Sequence, residues 1–145
     1  MRDILFRGKN GHGRWVYGSY FLHLKRTLCV IGDRAEDEDM EHVIIQDGFS
    51  DWNMPRDMEA IRVDPETVGE WTGLLDAKGK KIFEGDIVLG FDFSPEDDGY
   101  GVVEWGDGGF VVSNRCICGS FIENYEGRDF EVVSNIHDAP ELLEE

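Results

Sequence analysis

The sequence predicts a mainly β protein, with an N-terminal β-meander, a C-terminal small barrel of the SH3-like type, and one or two short helices. Three observations carry this prediction. Apolar residues fall in many short runs rich in β-branched and aromatic side chains. Turn-forming residues break those runs at close intervals, with 18 Gly and four Pro in 145 residues. Helical periodicity is confined to two brief stretches.

The N-terminal runs are Ile4 to Gly8, Gly13 to Leu24 and Thr27 to Gly32, separated by Gly, Lys and Asn. Three such runs read as a meander. In the second, Trp15, Tyr17, Ser19, Phe21 and His23 share one face of an extended strand, and Val16, Gly18, Tyr20, Leu22 and Leu24 share the other. Both faces carry apolar bulk, so part of each is expected to be covered. Ala35 to Glu41 is an acidic run with no apolar periodicity and reads as a solvated loop. Beyond His42 to Phe49, which the acidic loop separates from the meander, the spacing of Met54, Met58 and Ile61 predicts a short helix, with Asn53 as its cap and Pro55 in its first turn.

From Lys81 onward the signal is again extended. A strand is expected with Ile87, Leu89 and Phe91 on one face, and Tyr100 to Asn114 reads as a hairpin turning at Gly106-Asp107-Gly108-Gly109. Two further strands flank a turn at Glu126-Gly127. The chain closes on His137 to Glu145, where Asp138, Pro140 and Glu141 suit a helical turn that Leu142 and Leu143 must dock. The whole length, 1–145, reads as one domain of two sub-parts, 1–63 and 64–145, divided at Asp64-Pro65.

Composition narrows the function classes. Hydrophobic residues make up 41% and aromatic residues 12% of the chain, which suits a packed protein and not a disordered tail. No apolar stretch approaches the ~18 residues of a membrane span, and the N-terminus turns polar too early for a signal-peptide core, so a cytoplasmic protein is expected. The three cysteines do not form a disulfide framework and are expected as free thiols.

The net charge of −17 is unevenly divided. Residues 1–34 hold Arg2, Arg7, Lys9, Arg14, Lys25, Arg26 and Arg34 against Asp3 and Asp33, a balance of +5, which leaves −22 for residues 35–145. A surface that acidic repels phosphates, so membrane association and direct nucleic-acid binding are not expected, except through the basic segment alone.

Catalytic signatures are missing: there is no phosphate-binding Gly-Lys-Ser/Thr loop, nucleophile elbow or zinc-protease helix, so neither an enzyme nor a cofactor is expected. Cys116 and Cys118 would project to one side of a strand. Only Cys29 and the scattered His12, His23, His42 and His137 could complete a zinc site, and none has motif spacing, so no metal is expected. The acidic clusters lack the spacing of a calcium loop.

The densest motif runs from Val63 to Val88. Thr67-Val68-Gly69, Trp71, Thr72-Gly73-Leu74, Asp76, Gly79, Phe83 and Glu84-Gly85-Asp86-Ile87-Val88, with Phe6-Arg7-Gly8 and Trp15-Val16-Tyr17-Gly18 before them and Glu131 to Ile136 and Pro140-Glu141-Leu142-Leu143 after, resemble the YopX family of small bacteriophage and prophage proteins. Ser134 stands where the family pattern has Gly, and Ala35 to Met54 has no counterpart in it. The resemblance implies a phage or prophage origin, a mostly β fold and expression inside a bacterial cell, and it implies no reaction.

Two readings of the motif remain. In the structural one, turns at Asp76 to Gly79 and Gly85-Asp86 lead into strands, Asp86 binds backbone amides at its corner, and Thr67 and Thr72 face a neighbouring strand. In the sharper one, Trp71, Asp76, Lys78 and Asp86 line a surface for a small ligand or peptide. The function expected is a non-enzymatic module that binds a protein partner or self-associates as a homo-oligomer through its opposed charges. The alternative is an acidic nucleic-acid mimic that inhibits a host DNA-processing protein.

Overall fold

The computed structural model describes residues 2–90, 100–106, 108–113, 120–121 and 130–143. The chain is mainly β, with antiparallel strands and only short 3-10 turns of helix among the described residues. Its contacts define two compact units, Leu5–Val68 and Met1–Ile4 with Gly69–Glu145. The boundary falls at Val68/Gly69, a few residues beyond the Asp64-Pro65 step.

The Leu5–Val68 unit is built on β1 (Phe6–Lys9), β2 (Trp15–Leu24), β3 (Met40–Asp47) and β4 (Met58–Arg62), hydrogen-bonded in the order β4-β3-β2-β1. Val43, Ile44 and Val63 are its buried apolar residues. Ile44, fully buried, stands opposite Tyr20 on β2 and Ile61 on β4. Gly18 lets β2 pass this point: a Cβ there would stand 2.1 Å from the Ile45 carbonyl oxygen, which no side chain permits. After β4 the chain returns to β1, where Asp64 N–H donates to the Lys9 carbonyl and Lys9 N–H donates to Thr67 Oγ1 at 2.8 Å. The Tyr17, Phe21 and His23 face of β2 lies open, with Tyr17 46% and Phe21 50% exposed.

Three expectations for this unit are corrected. Thr27 to Gly32 is not a strand: Arg26 clamps Asp33 and Asp39, and the segment between runs over the surface with Val30 98% exposed. The third strand is instead β3, which starts inside the predicted acidic loop just after a 3-10 turn at Asp37–Asp39. No helix forms over Met54 to Ile61, because Asn53 takes a left-handed φ of 63° and Pro55 follows. Met58 to Arg62 then pair with β3 as a strand.

The second unit contains β5 (Gly69–Leu75), β6 (Lys81–Phe83), β7 (Asp86–Gly90), β8 (Tyr100–Gly106), β9 (Gly109–Ser113), β10 (Ser120–Phe121) and β11 (Phe130–Asn135). β5 and β6 form a hairpin, and the other strands form a sheet in the order β10-β9-β8-β7-β11. Ile82, Val88, Val103, Phe110, Val112, Phe130 and Val132 make its core, with Leu74 packed against them. Burial of each such side chain contributes about 1.5–3 kcal/mol, so this cluster is the main store of cohesion in the unit.

The predicted hairpin is β8–β9, with Trp105 opposite Phe110 and their rings 4.9 Å apart edge to face. A register shift between Val132 and Ser134 interrupts β11, so Val133 turns outward at 40% exposure. Among the described residues β10 pairs with β9 and β11 with β7, and no pairing joins β10 to β11. Phe91, Asp107, Cys116, Cys118 and the Glu126-Gly127 turn lie outside the described residues. The closing helical turn is a 3-10 turn over Pro140–Leu143, with Leu142 and Leu143 half-buried.

Candidate functional site

Asp76 and Lys78 lie on the turn between β5 and β6. One oxygen of Asp76, Oδ1, accepts the backbone N–H groups of Lys78 at 2.9 Å and Lys80 at 2.8 Å. The other, Oδ2, accepts the N–H of Val132 at 3.0 Å. Burial pushes the Asp76 carboxyl up, and the bonds from Val132, Lys80 and Lys78 outweigh it, holding its pKa below the ordinary value. Lys78 stands in solvent and pairs with Glu131 at 2.7 Å, which raises its pKa.

Asp86 belongs to a second turn. It is 1% exposed, and its Oδ2 accepts the Phe83 N–H at 2.8 Å across the Glu84-Gly85 corner, where Gly85 takes φ 89°. Trp71 faces Phe83 across the β5–β6 pair, donates from Nε1 to the Leu74 carbonyl at 2.9 Å, and has Lys81 Nζ 5.3 Å from its ring. Thr72 Oγ1 donates to the Ile82 carbonyl on the neighbouring strand at 2.9 Å. Of the four candidates, then, Asp76 and Lys78 share one turn, while Trp71 and Asp86 meet through Phe83. Both carboxylates are engaged by backbone amides, as the structural reading of the motif expects.

The feature that sequence reading misses is the connection between β3 and β4. Gly48 N–H donates to the Asp57 carbonyl at 2.7 Å and closes the base of an arm spanning residues 48–57. Inside it, Met54 N–H bonds back to the Asp51 carbonyl at 3.1 Å, Asn53 supplies the left-handed turn, and Arg56 reaches Asp47 at 3.2 Å. This geometry leaves the large side chains outside: Phe49 and Trp52 are each 91% exposed, and Met58, at the arm's base, is 82% exposed. Met54 adds a further exposed apolar side chain. The signal in the sequence is bulky apolar residues set among Gly, Ser, Asp, Asn and Pro, where turn chemistry denies them a buried face.

The opposite end of the β3–β4 pair is charged. A cavity of about 490 Å³ is lined by Lys25, Asp37, Met40, Glu41, His42, Arg62, Val63 and Pro65. Glu41 accepts a bond from His23 at 3.0 Å and lies against the Arg62 Nε. That second contact is electrostatic, since Glu41 Oε1 has no hydrogen-bond geometry to any described group. The bond from His23, and then the charges of Arg62 and Lys25, hold the Glu41 carboxyl below its usual range. Behind it, Tyr20 Oη and His42 Nδ1 form a short hydrogen bond, and burial raises the Tyr20 pKa. Among the described residues no cluster of His, Cys, Asp and Glu could hold a metal ion, and no helix is long and apolar enough to cross a membrane.

The chain resembles a solved structure described as protein EF1440 from Enterococcus faecalis, at 20% identity and a TM-score of 0.52 over 99% of each chain. At that identity the likeness shows the fold alone. No match is found among curated proteins. The family model of the YopX protein matches residues 6–144, nearly the whole length, and the chain therefore belongs to the YopX family.

Proposed function

We propose that the protein is a non-enzymatic binding module, a phage or prophage accessory protein that docks onto a protein surface or onto itself inside the bacterial cell. The arm at residues 48–57 carries this reading. Phe49, Trp52, Met54 and Met58 all stand in solvent within residues 49–58, a concentration of exposed bulky apolar side chains in one short segment. Trp is also among the residues on which interfaces most often depend. The motif residues Asp76 and Asp86 fit the same reading, because their carboxylates are taken up by backbone amides in turns.

A photo-crosslinking residue placed at Phe49 in bacterial cells tests the reading. A discrete protein adduct, to this chain or another, that disappears when Trp52 is replaced by Ser supports it. Crosslinking to nucleic acid, or no adduct at all, contradicts it. The acidic-mimic alternative draws on the net charge of −17. It predicts instead that the adduct survives loss of Trp52 and vanishes at high salt.

A further inference from the structure

The cavity at the Lys25 and Arg62 end of the β3–β4 pair is framed by backbone that the fold has already fixed. Val63 N–H donates to the His42 carbonyl at 2.9 Å, and Val63 also bridges to Asn10, just after β1. Lys25 N–H donates to the Asp39 carbonyl at 2.8 Å, and Met40 N–H donates to the Asp37 carbonyl as the 3-10 turn ends. The backbone around the cavity therefore needs no ordering when a ligand enters, and its volume of about 490 Å³ lies within the range of small-molecule sites.

Three polar groups of the lining are uncommitted. The first is on His42. Burial raises the Tyr20 pKa, so the phenol keeps its proton, and a phenol is a better donor than a neutral imidazole N–H. Tyr20 Oη therefore donates to His42 Nδ1, which assigns the ring proton to Nε2. That Nε2–H has no partner among the described residues. The other two are the Lys25 ammonium and the Asp37 carboxylate, neither of which enters an ion pair among the described residues.

The remaining charges of the lining cancel, because Arg62 lies against Glu41 and His23 also binds that carboxylate. Asp64 and Glu66, on either side of Pro65, add negative charge that repels a simple anion, while Lys25 opposes a simple cation. A molecule that carries both signs satisfies Lys25 and Asp37 together. Met40, Val63 and Pro65 supply an apolar wall beside them.

We infer that this cavity binds a dipolar ion of the amino-acid class with an apolar side chain, as the free amino acid or as a dipeptide. Its carboxylate takes the Lys25 ammonium and the His42 Nε2–H, its ammonium takes Asp37, and its side chain lies on Met40, Val63 and Pro65. Arg62 stays with Glu41 and contributes no bond to the ligand. The site is separate from the arm, so the inference goes beyond the binding reading above and does not depend on it.

The test follows the amide NMR signals of the isotope-labelled chain during titration with L-leucine and with leucyl-leucine. At least one of the two is expected to shift Met40, His42 and Val63 saturably, and the tighter binder sets the ligand's length. Isocaproate and isoamylamine keep the side chain and one charge each, and they are expected to bind about tenfold or more weakly than the better probe. Lys25→Met and Asp37→Asn change exposed side chains, so both variants are expected to keep the circular dichroism spectrum and to weaken binding by about threefold or more. Three results overturn the assignment: an analogue that binds as well as the better probe, no saturable shift at these amides with either probe, or affinity that survives both substitutions. None of them touches the arm, which the Phe49 crosslink tests separately.

Discussion

Asp76 and Val132 are joined by a hydrogen bond that spans 56 residues of chain, from the Val132 N–H to Asp76 Oδ2 at 3.0 Å. The same carboxylate also fixes its own turn through Lys78 and Lys80, so one side chain couples the β5–β6 hairpin to the strand that packs Phe130 and Val132 into the core. Asp76→Ala leaves those amides without their acceptor. Bonds to a charged group contribute about 1.5–3 kcal/mol each, and relaxation recovers part of the loss, so the variant is expected to be destabilised by about 3 kcal/mol. Asp76→Asn is expected to lie between, because one face of its amide presents N–H where Val132 or Lys78 needs an acceptor. Urea denaturation measures both, and a change below ~1 kcal/mol in the Ala variant contradicts the assignment.

Acid sensitivity follows from the same carboxylate. The pKa of Asp76 is lower in the folded chain than in the unfolded one, so its contribution is fully present above the ordinary carboxylate pKa of ~4 and is lost as the pH falls through the folded value. The unmodified chain is therefore expected to lose stability steeply below pH ~4, and Asp76→Ala to lose less over the same interval. Equal slopes for the two proteins in denaturation series between pH 5 and pH 2 would contradict this.

Arg26 organises an exposed segment without supporting the core. Its guanidinium binds Asp33 and Asp39, and Asp33, with its pKa lowered to about 2 by Arg26 and the Cys29 N–H, holds the backbone at Cys29. Asp39 in turn accepts the Glu36 N–H. Arg26→Ala is expected to speed amide exchange across residues 27–36 while leaving the global melting midpoint essentially unchanged, as befits exposed ion pairs. A large fall in the melting midpoint would show that the clamp does more than order its own segment.

Gly69 and Gly106 make a matched pair for substitution. A Cβ at Gly69 would stand 2.6 Å from the Glu84 carbonyl oxygen, while one at Gly106 meets nothing within 4 Å. Gly69→Ala is expected to cost about 1–3 kcal/mol and Gly106→Ala less than ~0.5 kcal/mol. Thermal melts of the two variants check the difference, and equal melting midpoints contradict it.

What was legible in the sequence was local. Alternation marked β2, the Gly-rich turn marked the β8–β9 hairpin, and Asp86 at its Gly85 corner was readable as a backbone acceptor. β4 was hidden because Met54, Met58 and Ile61 mimic helical spacing, and only pairing with β3 decides otherwise. Thr27 to Gly32 misled in the opposite direction: its apolar run looks like a strand, yet Val30 and Ile31 stand in solvent. The arm was missed because periodicity locates buried faces, and Phe49 and Trp52 have none.

Light scattering across a concentration series tests the central claim most directly, with the unmodified chain and Trp52→Ser compared at low salt. The account predicts that the unmodified chain rises from the 16.5 kDa monomer toward twice that mass, while the Trp52→Ser variant folds with unchanged stability and stays at 16.5 kDa. Two proteins with the same mass at every concentration would contradict docking of the arm onto a second copy.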